Sequence, residues 1–161
     1  VAGSDLVPNL AEVAAERGWR IFFLGAAPGV AETTAKILTA GHPNLQVAGC
    51  YAGSPDPAED AGITSRIRNT DADVLLVAYG APKQDLWLAR NLAKTGAAVG
   101  VGVGGSFDFI AGVARRAPRW VQRLGLEWLH RLVLEPWRWR RQLALPYFVW
   151  LVLLERDVPR I

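Results

Sequence analysis

Val74-Leu75-Leu76-Val77-Ala78-Tyr79-Gly80-Ala81-Pro82-Lys83 is the stretch on which the fold turns. Its first six residues are an unbroken apolar run, closed by glycine and proline, and the pattern then changes to a helical one from Lys83 to Thr95. A short continuous run of this kind predicts a strand buried on both faces, and the change of period predicts a helix leaving its carboxyl end. The same arrangement recurs on either side. Upstream, Ile21-Phe22-Phe23-Leu24 is closed by Gly25, and Pro28 and Gly29 open a helix carrying Val30, Ala31, Ile37 and Leu38, ended by Gly41 and Pro43. Leu45 to Cys50 predicts the next strand, and Asp56-Pro57-Ala58-Glu59 a helix start, with an acceptor at the cap, proline at the first position and a carboxylate at the third. Downstream, Ala97 to Val103 predicts a fourth strand, turned by Gly104-Gly105-Ser106 into another helix. Ahead of them all, Ser4 to Arg17 predicts a capped helix with Leu6, Leu10, Val13 and Ala14 on one face and Gly18 as its stop. Strands alternating with helices imply an α/β fold with a doubly wound, mostly parallel, Rossmann-like sheet. The series opens on a helix, so an earlier strand from preceding residues fits the pattern.

Size and composition agree with a packed body. A chain of 161 residues, 51% hydrophobic and 20% charged and without an internal repeat, can bury one proper core, which excludes a disordered chain or a disulfide-stapled miniature. The chain contains no methionine and begins at Val1, so it is expected to be a piece of a longer protein or to have lost a leader. Its opening residues have neither the basic start nor the apolar core of a signal peptide. Cys50 is the single cysteine, so the fold does not rely on an oxidising compartment, and a cytoplasmic setting is expected.

The net charge of +3 hides a division at Gly112. Residues 1–112 carry 8 Lys and Arg against 11 Asp and Glu, whereas residues 113–161 carry 10 Arg against 4 acids, with five of the seven tryptophans. Residues 1–112 therefore read as an acidic α/β body and residues 113–161 as an Arg/Trp-rich helical appendage, with helices from Pro118 to Glu135 and from Pro136 to Glu155. Such a segment points to phosphates, nucleic acid or an anionic membrane surface. Arg119, Arg123, Glu127, Arg131 and Glu135 recur every four residues beside a stripe of Trp120, Leu124, Trp128 and Leu132. One reading is a solvated face of Arg/Glu pairs, each contributing only tenths of a kcal/mol. The other is that Arg115, Arg116, Arg119 and Arg123 face a phosphate, to which the guanidinium fork binds in bidentate fashion. Trp137-Arg138-Trp139-Arg140-Arg141 then precedes the 12-residue apolar run 143–154, shorter than the roughly 20 residues a spanning helix needs. At about 1 kcal/mol per basic residue near an anionic leaflet, this tail can hold a protein reversibly on a membrane surface, and self-association into a homo-oligomer would mask it in solution.

In an open parallel sheet, ligands bind beyond the carboxyl ends of the strands, where glycines allow close approach and free amides meet anionic oxygens. Three loops meet that description: Gly25-Ala26-Ala27-Pro28-Gly29, Tyr79-Gly80-Ala81-Pro82-Lys83-Gln84 and Gly102-Val103-Gly104-Gly105-Ser106-Phe107-Asp108. Each suits a diphosphate, and each also reads as an ordinary tight turn. None has the spacing of a Walker loop or a dinucleotide fingerprint. Asp71-Ala72-Asp73 has the look of a metal-binding carboxylate pair, but it precedes a strand and so belongs at the opposite edge, as solvated loop carboxylates. His42 and His130 are isolated, and no metal site is expected. A nucleic-acid partner is not expected either, because the body offers few aromatic side chains for bases to stack on.

Four ordered motifs resemble a known family. They are Ala81-Pro82-Lys83-Gln84-Asp85-x-Trp87, Gly102-Val103-Gly104-Gly105-Ser106-Phe107-Asp108-Phe109-x-Ala111-Gly112, Arg116-Ala117-Pro118-Arg119-Trp120, and Leu126-Glu127-Trp128-Leu129-x-Arg131-Leu132-x-x-Glu135-Pro136. Together they resemble the WecG/TagA/CpsF glycosyltransferases, over nearly the whole chain. The resemblance implies inverting transfer of a sugar of the N-acetylmannosamine type from a UDP-sugar to an undecaprenyl-diphosphate-linked acceptor, on the cytoplasmic face of the membrane and without a metal or other cofactor. Polymers built this way include teichoic acids, capsules and exopolysaccharides. It implies that Gln84 lines the sugar-nucleotide pocket, that Asp108 and the preceding glycines lie near the nucleotide, and that the arginine-rich appendage associates with the membrane and completes the site. It also implies that the catalytic aspartate lies in a D-G-x-G-like stretch ahead of Gly3-Ser4-Asp5, so that this piece lacks its base. Asp85 stands where the family usually has glutamate.

The expected substrate-binding set is therefore Gly25, Tyr79, Gly80, Pro82, Lys83, Gln84, Gly104, Gly105, Ser106 and Asp108 from the body, with Arg116, Arg119, Arg123 and Arg131 from the appendage. A second reading, from a different class, is a non-catalytic nucleotide- or lipid-binding module recruited to the membrane by its basic tail.

Overall fold

In the computed structural model, residues 3–114 are described, and the side chains from Asp5 onward. Apart from its first two residues, the predicted appendage lies outside the described residues, and with it Arg116, Arg119, Arg123, Arg131 and His130. Five helices and four strands alternate through the body: α1 (Gly3–Arg17), β1 (Arg20–Gly25), α2 (Val30–Gly41), β2 (Gln46–Tyr51), a single 3-10 turn (Pro57–Glu59) running into α3 (Asp60–Arg68), β3 (Val74–Ala78), α4 (Lys83–Thr95), β4 (Val99–Gly102) and α5 (Ser106–Ile110). The strands form one sheet of order β2-β1-β3-β4, with every neighbouring pair parallel. This is the doubly wound α/β architecture that the alternation predicts.

The central strands carry the two cores. Ile21 and Phe23 of β1, with Val74 and Leu76 of β3, point to a cluster that contains Val7, Ala11 and Ala14 of α1, Ala31, Ala35 and Leu38 of α2, and Phe107 of α5. Phe22 and Leu24, with Leu75 and Val77, point the other way, to Ile63 and Ile67 of α3 and Trp87 of α4. Alternation along a strand sends successive residues to opposite faces, so an unbroken apolar run is what a strand needs when helices cover both sides. β2 and β4 are the edges, and their residues are exposed or half-buried.

Some details depart from the expectation. α1 begins at Gly3, which puts Ser4 inside its first turn, and the helix buries Val7, Ala11 and Ala14 while leaving Val13 38% exposed. Of the predicted face, Ala14 is buried and Leu10 is half-buried against the core, whereas Val13 is exposed, so the fully buried stripe is centred about one residue further on. α2 likewise turns Thr34 and Ala35 inward and leaves Ile37 45% exposed. In both helices small side chains take the inward positions, which lets the helix axis approach the sheet closely. Asp56 does cap its helix, its Oδ1 accepting the Ala58 amide at 2.9 Å, but the first turn is wound as 3-10 before α3 starts at Asp60.

Candidate functional site

The strand order fixes where a ligand crevice opens. From β1 the chain moves outward to β2, then returns through α3 to β3 on the other side of β1, so the connections diverge between the carboxyl ends of β1 and β3. That divergence is the switch point at which open α/β sheets bind ligands. The two strand ends are closely joined. Gly25 pairs with Ala78, and the Ala26 amide donates to the Ala78 carbonyl at 3.2 Å. Gly25 has φ +101°, and a Cβ on it would stand 2.8 Å from the carbonyl carbon of Ala78, so glycine is required there on both counts.

The loop after β3 leads directly into α4. Gly80 has φ +75°, the Ala81–Pro82 peptide is cis, and the Gln84 amide closes the turn on the Gly80 carbonyl at 3.0 Å. Lys83 is exposed at the first position of α4. Gln84 is 93% buried, since its exposure is 7%, and its Oε1 accepts the Gly104 amide at 2.9 Å. Its side chain also fills the space where a Gly102 Cβ would sit, 2.6 Å from Nε2. Ser106 is buried as well, its hydroxyl donating to the Val103 carbonyl at 2.6 Å, while the Val103 amide donates to Val77 at 2.9 Å.

The ten body residues expected to bind substrate thus gather on one edge of the sheet. Gly25 is paired to the end of β3, Tyr79 to Gln84 follow that end, and Gln84 is bonded to the loop that holds Gly104, Gly105 and Ser106. Asp108 is half-buried in the first turn of α5. Within the group, Gln84 and Ser106 hold the loops in shape, whereas Lys83 reaches solvent. Tyr79 packs edge-on against Trp87 with ring centroids 6.2 Å apart, and its hydroxyl is buried without a hydrogen-bond partner. Burial, reinforced by the negative charges of Glu59 and Asp60 and by the neighbouring Tyr51 phenol, pushes the Tyr79 phenol well above its usual value, so it stays a neutral group.

A fourth loop on this edge was not among the sequence candidates. Residues 52–56 follow β2 and face α4 across a groove of about 380 Å³ lined by Ser54, Pro55, Asp56, Lys83, Leu86 and Arg90. Two signals were available in the sequence: a loop after a parallel strand belongs to the ligand edge, and Asp56-Pro57 marks a helix start beside it. Arg90 carries no such signal.

The carboxylates of the Asp71-Ala72-Asp73 pair are at the opposite edge, as expected. Asp73 Oδ2 accepts the Arg20 amide at 2.8 Å where β1 begins, and Asp71 lies 3.9 Å from the Arg20 guanidinium. Among the described residues no cluster of three metal-ligating side chains occurs, and no helix is long and apolar enough to cross a membrane.

Comparison with known proteins agrees with this geometry. Residues 1–160 match the glycosyl transferase WecG/TagA/CpsF family. The chain is 36% identical, over 96% of its length and 60% of the relative's, to N-acetylglucosaminyldiphosphoundecaprenol N-acetyl-beta-D-mannosaminyltransferase of Bacillus subtilis (strain 168). It is 35% identical, over 95% of its length and 59% of the relative's, to the protein of the same name from Bacillus spizizenii (strain ATCC 23059 / NRRL B-14472 / W23). It thus spans about three-fifths of the length of these relatives. With the family matched over residues 1–160 and a doubly wound sheet placing the stretches 81–87 and 102–112 on its ligand edge, the chain belongs to the WecG/TagA/CpsF glycosyltransferase family.

Proposed function

We propose that this chain is the nucleotide-sugar-binding part of an inverting glycosyltransferase that moves N-acetylmannosamine from UDP-N-acetylmannosamine to an undecaprenyl-diphosphate-linked N-acetylglucosamine. The observation that carries this reading is the similarity to two transferases named for that acceptor and that sugar, together covering nearly all of the chain. The geometry supports it. The donor lies across the carboxyl edge of the sheet, with its diphosphate near Lys83 and the glycines of the β1, β3 and β4 loops.

In the reaction, the acceptor hydroxyl oxygen attacks the anomeric carbon from the face opposite UDP. Its proton passes to a carboxylate of the full-length protein, and the bond to the UDP oxygen breaks with its electron pair leaving on the diphosphate. Lys83, exposed at the first position of α4, supplies part of the positive charge that neutralises it, and Arg116, Arg119, Arg123 and Arg131 are proposed to supply the remainder. The Trp/Arg segment after them rests on the cytoplasmic leaflet, where the lipid-linked acceptor is found.

The reading is tested by UDP titration calorimetry and donor turnover in the full-length protein and its Arg116→Ala and Arg119→Ala variants. Binding of UDP by the parent and loss of turnover in both variants are expected. Unchanged turnover would remove the role given to the arginines. Binding of UDP without transfer to any lipid-linked acceptor would favour a non-catalytic module.

A further inference from the structure

Arg90, near the middle of α4, joins three segments. Its Nε lies 3.1 Å from Asp60 Oδ2 and its Nη2 3.4 Å from Asp60 Oδ1, a forked pair with the first residue of α3. The same Nη2 donates to the carbonyl of Pro55, in the loop after β2, at 3.2 Å. Burial by itself would raise the Asp60 carboxyl, but the forked hydrogen bonds from Arg90 and the charges of Arg90 and Lys94 outweigh it and hold the group below its ordinary value. The Asp60 side chain is 14% exposed and that of Arg90 37%, so the pair is partly open to solvent and what sets it apart is its forked geometry together with the bond to Pro55.

The other end of the loop lies on the candidate crevice. Gly53 has φ +52°, and a Cβ there would stand 2.8 Å from the Tyr79 hydroxyl. The loop thus rests at Gly53 on the first residue past β3 and is gripped at Pro55 by α4. Its own hydrogen bonds, Asp56 amide to Ser54 Oγ at 3.1 Å and Ala58 amide to Asp56 Oδ1 at 2.9 Å, are local and shape it without attaching it to the body. Without the grip from α4, the contact over Tyr79 would rest on packing alone.

We propose that Arg90 is a positioning residue: by holding Asp60 and Pro55 together it keeps the loop 52–56 against Tyr79 and so fixes the width of the donor crevice. This rests on the donor-binding reading given above. Arg90 touches no reacting atom in this scheme, and its effect reaches the donor through the loop.

The test uses the full-length protein with Arg90→Gln, Arg90→Lys and Asp60→Asn, measuring KM for the UDP-sugar, kcat, and hydrogen exchange at residues 52–56. Arg90→Gln is expected to raise KM about 10-fold while kcat stays within about threefold, because a misplaced wall weakens donor binding more than the chemical step. Exchange at 52–56 should quicken while amides within α3 and α4 keep their protection, and Arg90→Lys, which keeps the charge but loses the fork, should fall between. KM within about twofold of the parent in folded Arg90→Gln and Asp60→Asn, at a temperature well below unfolding, would overturn the proposal. If Arg90→Gln does not fold, Arg90→Lys decides by the same criteria. A parent that binds no UDP-sugar would sink the donor-binding reading itself, whereas unchanged exchange at 52–56 would sink the grip of Arg90 alone.

Discussion

Gln84 and Gly104, twenty residues apart, are joined by a hydrogen bond of 2.9 Å that couples the start of α4 to the loop after β4. The bond puts two of the family's motifs under one constraint, because the same carboxamide packs where Gly102 has no side chain.

Gln84→Ala is therefore expected to destabilise the body by about 1–2 kcal/mol, the cost of leaving a half-buried amide without its acceptor. Gly102→Ala is expected to destabilise by a similar route, since its Cβ would displace the Gln84 side chain. Combined, the two should cost clearly less than their sum. A double-mutant cycle by urea unfolding measures this, and strict additivity would mean that the two sites are independent.

Gly25→Ala should cost more than a surface substitution, about 2 kcal/mol or above, because it combines a strained backbone with a contact against Ala78 that cannot relax by side-chain rotation. Thermal unfolding checks it. Gly29→Ala is a useful control: its φ is +83°, but nothing lies within 4 Å of its would-be Cβ, so only the backbone part of the cost remains.

The general architecture was legible from Val74 to Lys83 and its counterparts because a strand covered on both faces has to be apolar throughout, and few other structures allow that. The rotation of α1 was not legible. Ala14 of the predicted face is buried and Leu10 packs against the core, but which residues are fully buried depends on how closely α1 can approach its neighbours, and Ala11 and Ala14 permit that approach. In the site, the positions of the loops followed from the parallel sheet. The role of Gln84 did not, because whether a carboxamide faces ligand or a neighbouring amide is set by an adjacent loop 20 residues away. Arg90 was hidden for the same reason: its partners, Pro55 and Asp60, are 35 and 30 residues distant.

Burial, helped by the charge of Glu32, pushes the Cys50 thiol up from 9.0 to about 11. A thiol raised on folding favours the protonated native state, so its contribution is complete below pH 9 and is lost as the pH rises towards 11. Cys50→Ala should flatten the fall in stability over that interval, measured by denaturation at a series of pH values. The parent thiol should also react slowly with a disulfide reagent at pH 8, since little of it is thiolate.

Asp73→Ala should weaken the amino edge of the sheet by about 1 kcal/mol through the bond to the Arg20 amide, while leaving UDP affinity as it was. Loss of UDP affinity in that variant, together with a divalent-metal requirement for UDP binding in the parent, would instead return the pair to the chemistry of the site.

The proposed sugar transfer is tested most directly by supplying the full-length protein with UDP-N-acetylmannosamine and a polyprenyl-diphosphate-linked N-acetylglucosamine. A lipid-linked disaccharide, release of one UDP for each sugar moved, and an anomeric configuration opposite to that of the donor are expected. No disaccharide from this pair, or a product that retains the donor's configuration, would contradict it.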